Sequence, residues 1–250
     1  MAKIPIAVQL YSVRDDCAKD LPGVLKGIGK MGYEGVEFAG YYNNDAKTLR
    51  KLLDDNGLKA EGTHIGIESF LGDQFYKTVE FHKILGCDFL IIPSMSKQRR
   101  DSVATCKETG RLLSEISERL RPYDLRTGYH AHGDDFTPLP DEKTTGYDAL
   151  FSNSDKSVIM QIDTGNAKSV GVDAVPFIER YPGRTLTIHI KDFSKTKQAL
   201  LGEGDVPFKE VLRACQKVGG TRWFVVEQET YPYPPMECID RNLKTLKRML

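Results

Sequence analysis

Thr187-Ile-His-Ile-Lys-Asp192 alternates polar and apolar residues up to a terminal group of His189, Lys191 and Asp192. Alternation with β-branched side chains marks a β-strand, here one that finishes in metal-binding residue types. Three other strand-like runs close in the same way: Gly128-Tyr-His-Ala-His132, Ile159-Met-Gln-Ile-Asp163 and Phe224-Val-Val-Glu227. A strand has no conformational reason to end in His, Asp, His and Glu. If the four lie side by side, their ends converge on a point suited to a divalent cation.

On either side of this stretch, apolar strand-like runs alternate with amphipathic helical patterns. The strands read as Ile6–Leu10, Gly35–Phe38, Lys59–His64, Phe89–Ile92, Arg126–His130, Val158–Asp163, Thr185–Ile190 and Trp223–Glu227. The helices read as Leu21–Met31, Asp45–Asn56, Gln74–Leu85, Asp101–Arg121, Val175–Tyr181, Phe208–Val218 and Pro235–Leu250. Asn56-Gly57, Leu85-Gly86 and Val218-Gly219 have the form of helix C-caps, each followed at once by a strand. Gly133 to Asp155 is polar and irregular, so its helix is short or replaced by a loop. The repeat of about 31 residues has the size of a βαβ step, and eight such steps close most simply into a single (β/α)₈ TIM barrel over residues 1–250. An open doubly wound sheet is the competing topology, but no G-x-G-x-x-G turn follows the first strand.

Composition narrows the function classes. Lys plus Arg and Asp plus Glu each number 35, so the formal net charge is zero and no global field draws the chain to nucleic acid or an anionic membrane. The five cysteines are scattered and never form C-x-x-C, which suits a reducing compartment and argues against a zinc ribbon. Met1-Ala-Lys-Ile-Pro-Ile6 runs directly into a strand without a signal-peptide core, and no apolar run has the length of a membrane span. The expectation is a cytoplasmic protein acting on a small molecule, with homo-oligomerisation possible.

In a TIM barrel the active site lies at the C-terminal strand ends. Those positions here carry Gln9 and Tyr11, Glu37, His64, Pro93 and Ser94, His130 and His132, Asp163, His189 with Lys191, and Glu227 with Glu229. Four of the five histidines fall in this set, and only His82 sits mid-helix, where a surface or packing role is expected.

Tyr129-His-Ala-His132, Ile162-Asp-Thr-Gly-Asn166, Ile188-His-Ile-Lys-Asp192, Leu201-Gly-Glu-Gly-Asp205 and Val225-Val-Glu-Gln-Glu229, with Ala7-Val-Gln-Leu-Tyr-Ser12 and Gly32-Tyr-Glu-Gly-Val-Glu37, together resemble the sugar phosphate isomerase/epimerase family with the xylose-isomerase-like barrel. The resemblance implies one divalent metal, Mn, Mg, Co or Zn, with Asp163, His189 and Glu227 as ligands. The family's usual fourth ligand is a glutamate at the end of strand five. This chain has His130 there, with His132 on the same side of the strand as the alternative. A symmetric pair of glutamate bases is therefore missing. The implied function is a metal-dependent isomerase or epimerase of a sugar or keto-sugar working through an enediolate, with a lyase or dehydratase on a keto-sugar or inosose as the alternative.

Within that scheme Glu227 or a strand-five histidine takes the proton, and His64, His132 and Lys191 serve the developing oxyanion or shuttle protons. Glu37, Gln9 and Glu203 are expected to hold sugar hydroxyls, although Glu37 and Lys191 suit an ion pair across the barrel mouth equally well. No P-loop or glycine-rich phosphate cradle is apparent, which points to an unphosphorylated substrate. An apurinic-site endonuclease, needing more His and Glu ligands and a basic face, and a non-catalytic sugar-binding barrel are the more distant readings.

Overall fold

Eight parallel strands pair in chain order and close on themselves, β1 against β8, through Ile6 with Phe224, Ala7 with Val225 and Val8 with Val226. They are β1 (Ile6–Gln9), β2 (Gly35–Phe38), β3 (Lys59–His64), β4 (Phe89–Ile92), β5 (Arg126–His130), β6 (Ile159–Asp163), β7 (Thr187–Ile190) and β8 (Trp223–Val226). This computed structural model describes residues 3–140 and 142–250, so the reading made on Met1 and Ala2 lies outside the described residues. The barrel is wrapped by helices α1 (Arg14–Met31), α2 (Ala46–Asp55), α3 (Gln74–Leu85), α4 (Val103–Leu120), α5 (Gly146–Phe151), α6 (Thr164–Ser169), α7 (Val175–Arg180), α8 (Phe208–Ala214) and α9 (Pro235–Met249). The chain is a (β/α)₈ TIM barrel.

Amphipathic periodicity explains the outer ring. In α4, Cys106, Thr109, Leu113, Ile116 and Leu120 are buried at three- and four-residue steps, and the Ser102 hydroxyl accepts from the Thr105 amide to start the helix. Inside, Phe89, Ile91, Ile159 and Leu186 cluster with Trp223 packed against them. Ile159 shares a strand face with Gln161 and Asp163, so this apolar plug lies beneath the polar strand ends. Burying both faces of every strand is what an all-parallel sheet requires.

Several sequence expectations shift. The first helix starts at Arg14 rather than Leu21, with a break at Asp20 (φ −152°, ψ 75°) whose carboxylate accepts from the Gly23 amide and restarts the helix ahead of Pro22. Gly57 and Gly86 are left-handed as expected of C-caps, but after α8 the chain makes a π-helical turn at Cys215–Gly219 and the left-handed residue is Gly220. The Gly133 to Asp155 stretch holds a 3₁₀ turn and the six-residue α5. The β2–β3 register also slips. Val36 pairs with Ala60 but Glu37 with Gly62, leaving Glu61 as the extra residue of a bulge. Among the described residues no helix is long and apolar enough to cross a membrane.

Candidate active site

A single carboxylate organises the C-terminal end of the barrel. Glu37, fully buried on β2, accepts from Gln9 Nε2 on β1 (2.8 Å) and Gln161 Nε2 on β6 (2.6 Å), and bonds His189 Nε2 on β7 (2.5 Å). His64 Nε2 on β3 lies 3.4 Å from its second oxygen. Burial alone would raise the Glu37 pKa, but His64, His189 and the hydrogen bonds hold it down at about 2. The Gln9 side-chain oxygen in turn accepts from the Tyr11 amide, which fixes its amide the right way round.

Next to this hub, His130, Asp163, His189 and Glu227 are all buried and each offers a ligand atom within 4.8 Å of the others. His189 faces Glu37 through Nε2 and Glu227 Oε2 through Nδ1 (3.0 Å), with Asp163 Oδ2 at 3.8 Å. Burial disfavours the imidazolium, but the Glu37 and Glu227 charges outweigh it and raise the His189 pKa well above its ordinary value. A carboxylate behind the imidazole and an acidic pair in front is the layout of a carboxylate–histidine–metal triad.

Asp163 Oδ1 caps α6 by accepting from the Asn166 amide (2.7 Å), while Oδ2 has no hydrogen-bond partner. Lys191 Nζ lies 2.9 Å from that bare oxygen and 3.5 Å from Glu227 Oε2, and it also donates to Asn166 Oδ1 (2.8 Å) and to Glu229. Burial works against the ammonium, but Asp163, Glu227 and Glu229 raise its pKa above the usual lysine value. Gly165 makes room for this side chain, since a Cβ there would fall 2.8 Å from Lys191 Cγ. The mixed imidazole and carboxylate donors, with Asp163 Oδ2 among them held by its ion pair with Lys191, fit a divalent cation.

Above the cluster opens a cavity of about 420 Å³ lined by Tyr11, Ala39, His64, Pro93, Ser94, His130, His132, Asn166, Glu227 and Glu229. His132 stands exposed at the mouth, its ring 5.1 Å from that of His130, and of the two it is His130 that joins the four-residue cluster. The three expected sugar-binding residues lie elsewhere than anticipated. Glu37 and Gln9 are fully buried, with their polar atoms taken up by each other and by the hub, so they stand behind the site instead of lining it. Glu203 lies beside Leu200, Leu201 and Arg241 on the flank facing α9, within 3.8 Å of Lys197. The cause is Asp192, whose carboxylate accepts from the amides of Phe193, Gly202, Gly204 and Val206 and ties the β7–α8 loop down.

Gln161 and Asn166 were not anticipated. Gln161 Oε1 bonds both His64 Nε2 (2.7 Å) and His130 Nδ1 (3.0 Å). Its place two residues before Asp163, hence on the same strand face, is the signal that could have found it.

The model of the xylose isomerase-like TIM barrel family matches residues 26–249, and the chain belongs to that family. An inosose dehydratase of Lacticaseibacillus casei is 25% identical over 242 residues, covering 80% of this chain and 79% of that one. A sugar phosphate isomerase/epimerase from Parabacteroides distasonis ATCC 8503 superposes with a TM-score of 0.85 at 23% identity, over 99% of this chain and 94% of that one. The zinc-bound IOLI protein superposes with a TM-score of 0.77 at 14% identity, over 98% of both chains. The chain is an enzyme of this superfamily, in which dehydratases and isomerase/epimerases share one barrel.

Proposed function

We propose that this enzyme takes a proton from the carbon next to a carbonyl of an unphosphorylated keto-sugar or inosose, forming an enediolate that is reprotonated to an isomer or epimer. The observation that carries the reading is the buried His130, Asp163, His189 and Glu227 cluster at the floor of a sugar-sized cavity. A divalent cation held by these four would polarise the substrate carbonyl. Glu227 borders the cavity and serves as the base that takes the proton. Lys191, engaged by Asp163, Glu227 and Glu229 beneath the cavity, balances the charge of those carboxylates. His64 and His132 border the cavity and exchange the proton with substrate oxygens.

The preference for an unphosphorylated substrate follows from charge. Among the described residues no Lys or Arg lines the cavity, whereas Glu227 and Glu229 do. A phosphate would meet carboxylates with no free cation to pair with.

Elimination of water or of a glycosidic group is the second reading. It is favoured by the asymmetry of the site, where a glutamate is opposed by histidines, and by the inosose dehydratase relative. The test is NMR in D₂O over ketoses, keto-glycosides and inososes with Mn²⁺ added. Deuterium at the α-carbon with an epimeric or isomeric product supports the first reading, and loss of water or aglycone the second. No exchange across the panel would count against both.

A further inference from the structure

Gln161 joins Glu37, His64 and His130, and its amide orientation is determined by chemistry. Glu37 accepts from Gln9 Nε2, whose amide is fixed by the Tyr11 N–H on its oxygen, so its carboxylate acts as an acceptor and the group 2.6 Å from its Oε1 is the Gln161 NH₂. The Gln161 carbonyl oxygen therefore faces the two imidazoles, at 2.7 Å from His64 Nε2 and 3.0 Å from His130 Nδ1. A carbonyl carries no proton. Both facing nitrogens must supply one.

We propose that Gln161 is a positioning residue that locks His64 and His130 in opposite tautomers, Nε2–H on His64 and Nδ1–H on His130. One oxygen with two lone pairs thus assigns two different tasks. His130 is left with a bare Nε2, free to serve as its ligand atom in the cluster with Asp163, His189 and Glu227. His64 is left with a bare Nδ1, the one basic atom of a ring that lines the cavity. His189 follows the opposite logic, with both nitrogens facing carboxylates. The tautomer assignment stands on hydrogen-bond geometry alone, whereas the task given to His130 rests on the metal-dependent reading above.

The test is a long-range ¹H–¹⁵N correlation spectrum of the full-length, metal-free protein, which reports each histidine's tautomer, together with a Co²⁺ titration. Nε2–H on His64 and Nδ1–H on His130 is the expected result in the wild type. Gln161→Met, which keeps the volume and removes the acceptor, should mix both tautomers and weaken Co²⁺ binding about 10- to 100-fold, the range for outer-shell partners of metal ligands. Nδ1–H on His64 or Nε2–H on His130 in the wild type would overturn the assignment, as would unchanged tautomers in Gln161→Met. Expected tautomers in a protein that takes up no Co²⁺ would support the assignment and overturn the metal reading instead.

Discussion

At the scale of single residues, two substitutions separate the hub from the cluster. Glu37→Gln keeps the shape but removes the charge that Gln9, Gln161 and His189 all address. It should lower divalent-metal affinity about 10- to 100-fold, read by calorimetric titration, with circular dichroism unchanged. Lys191→Met acts differently. It leaves Asp163 Oδ2 without its counter-charge in the metal-free protein, at a cost of about 3 kcal/mol, typical of breaking a buried pair. Added Zn²⁺ should narrow that deficit in urea titrations, because the metal replaces the missing cation. An equal deficit with and without Zn²⁺ would remove Lys191 from the site's charge balance.

At the scale of elements, the β7–α8 loop and the β3–α3 contact make distinct predictions. Asp192→Ala deletes one acceptor shared by the amides of Phe193, Gly202, Gly204 and Val206, and should cost about 3 kcal/mol. Hydrogen exchange should then accelerate at those amides while the strand amides stay protected. His82, on α3, bonds Thr78 O through Nδ1 (2.6 Å) and the Tyr41 hydroxyl through Nε2 (2.8 Å), and that hydroxyl also bonds Thr63 Oγ1 on β3 (2.9 Å). Burial lowers its pKa to about 4. The unfolded chain, with an ordinary value near ~6.5, takes up the proton first. Stability is therefore complete above that value and falls as pH drops from there towards 4, by about 3 kcal/mol. His82→Gln should flatten this part of the acid limb, and urea midpoints between pH 7 and pH 4 would show it.

Over the whole molecule, the barrel and the strand-end His, Asp and Glu residues were legible because two simple periods carried them, the 31-residue repeat and the two-residue strand alternation. What escaped depends on closure and register. Glu37 read as a sugar ligand because nothing local says that β1, β3, β6 and β7 all turn a side chain onto it. Gln161, between Met160 and Ile162, looks like any alternating strand residue. Glu61 is a bulge residue, and a one-residue slip is invisible to an alternation count. The helix break at Asp20 likewise follows from a dihedral angle and a side-chain cap.

The same view predicts how the protein responds to metal removal. The barrel closes strand on strand around a large apolar core, whereas small metal-dependent domains have little core of their own. Chelation should leave thermal unfolding cooperative, and re-added metal should raise the midpoint with concentration. Loss of the cooperative transition in EDTA would show the cation to be structural. With the Lys191 ammonium already seated beside Asp163 and Glu227, the acidic cleft is occupied by the chain's own side chain, and a cation bound there would exchange one positive charge for another.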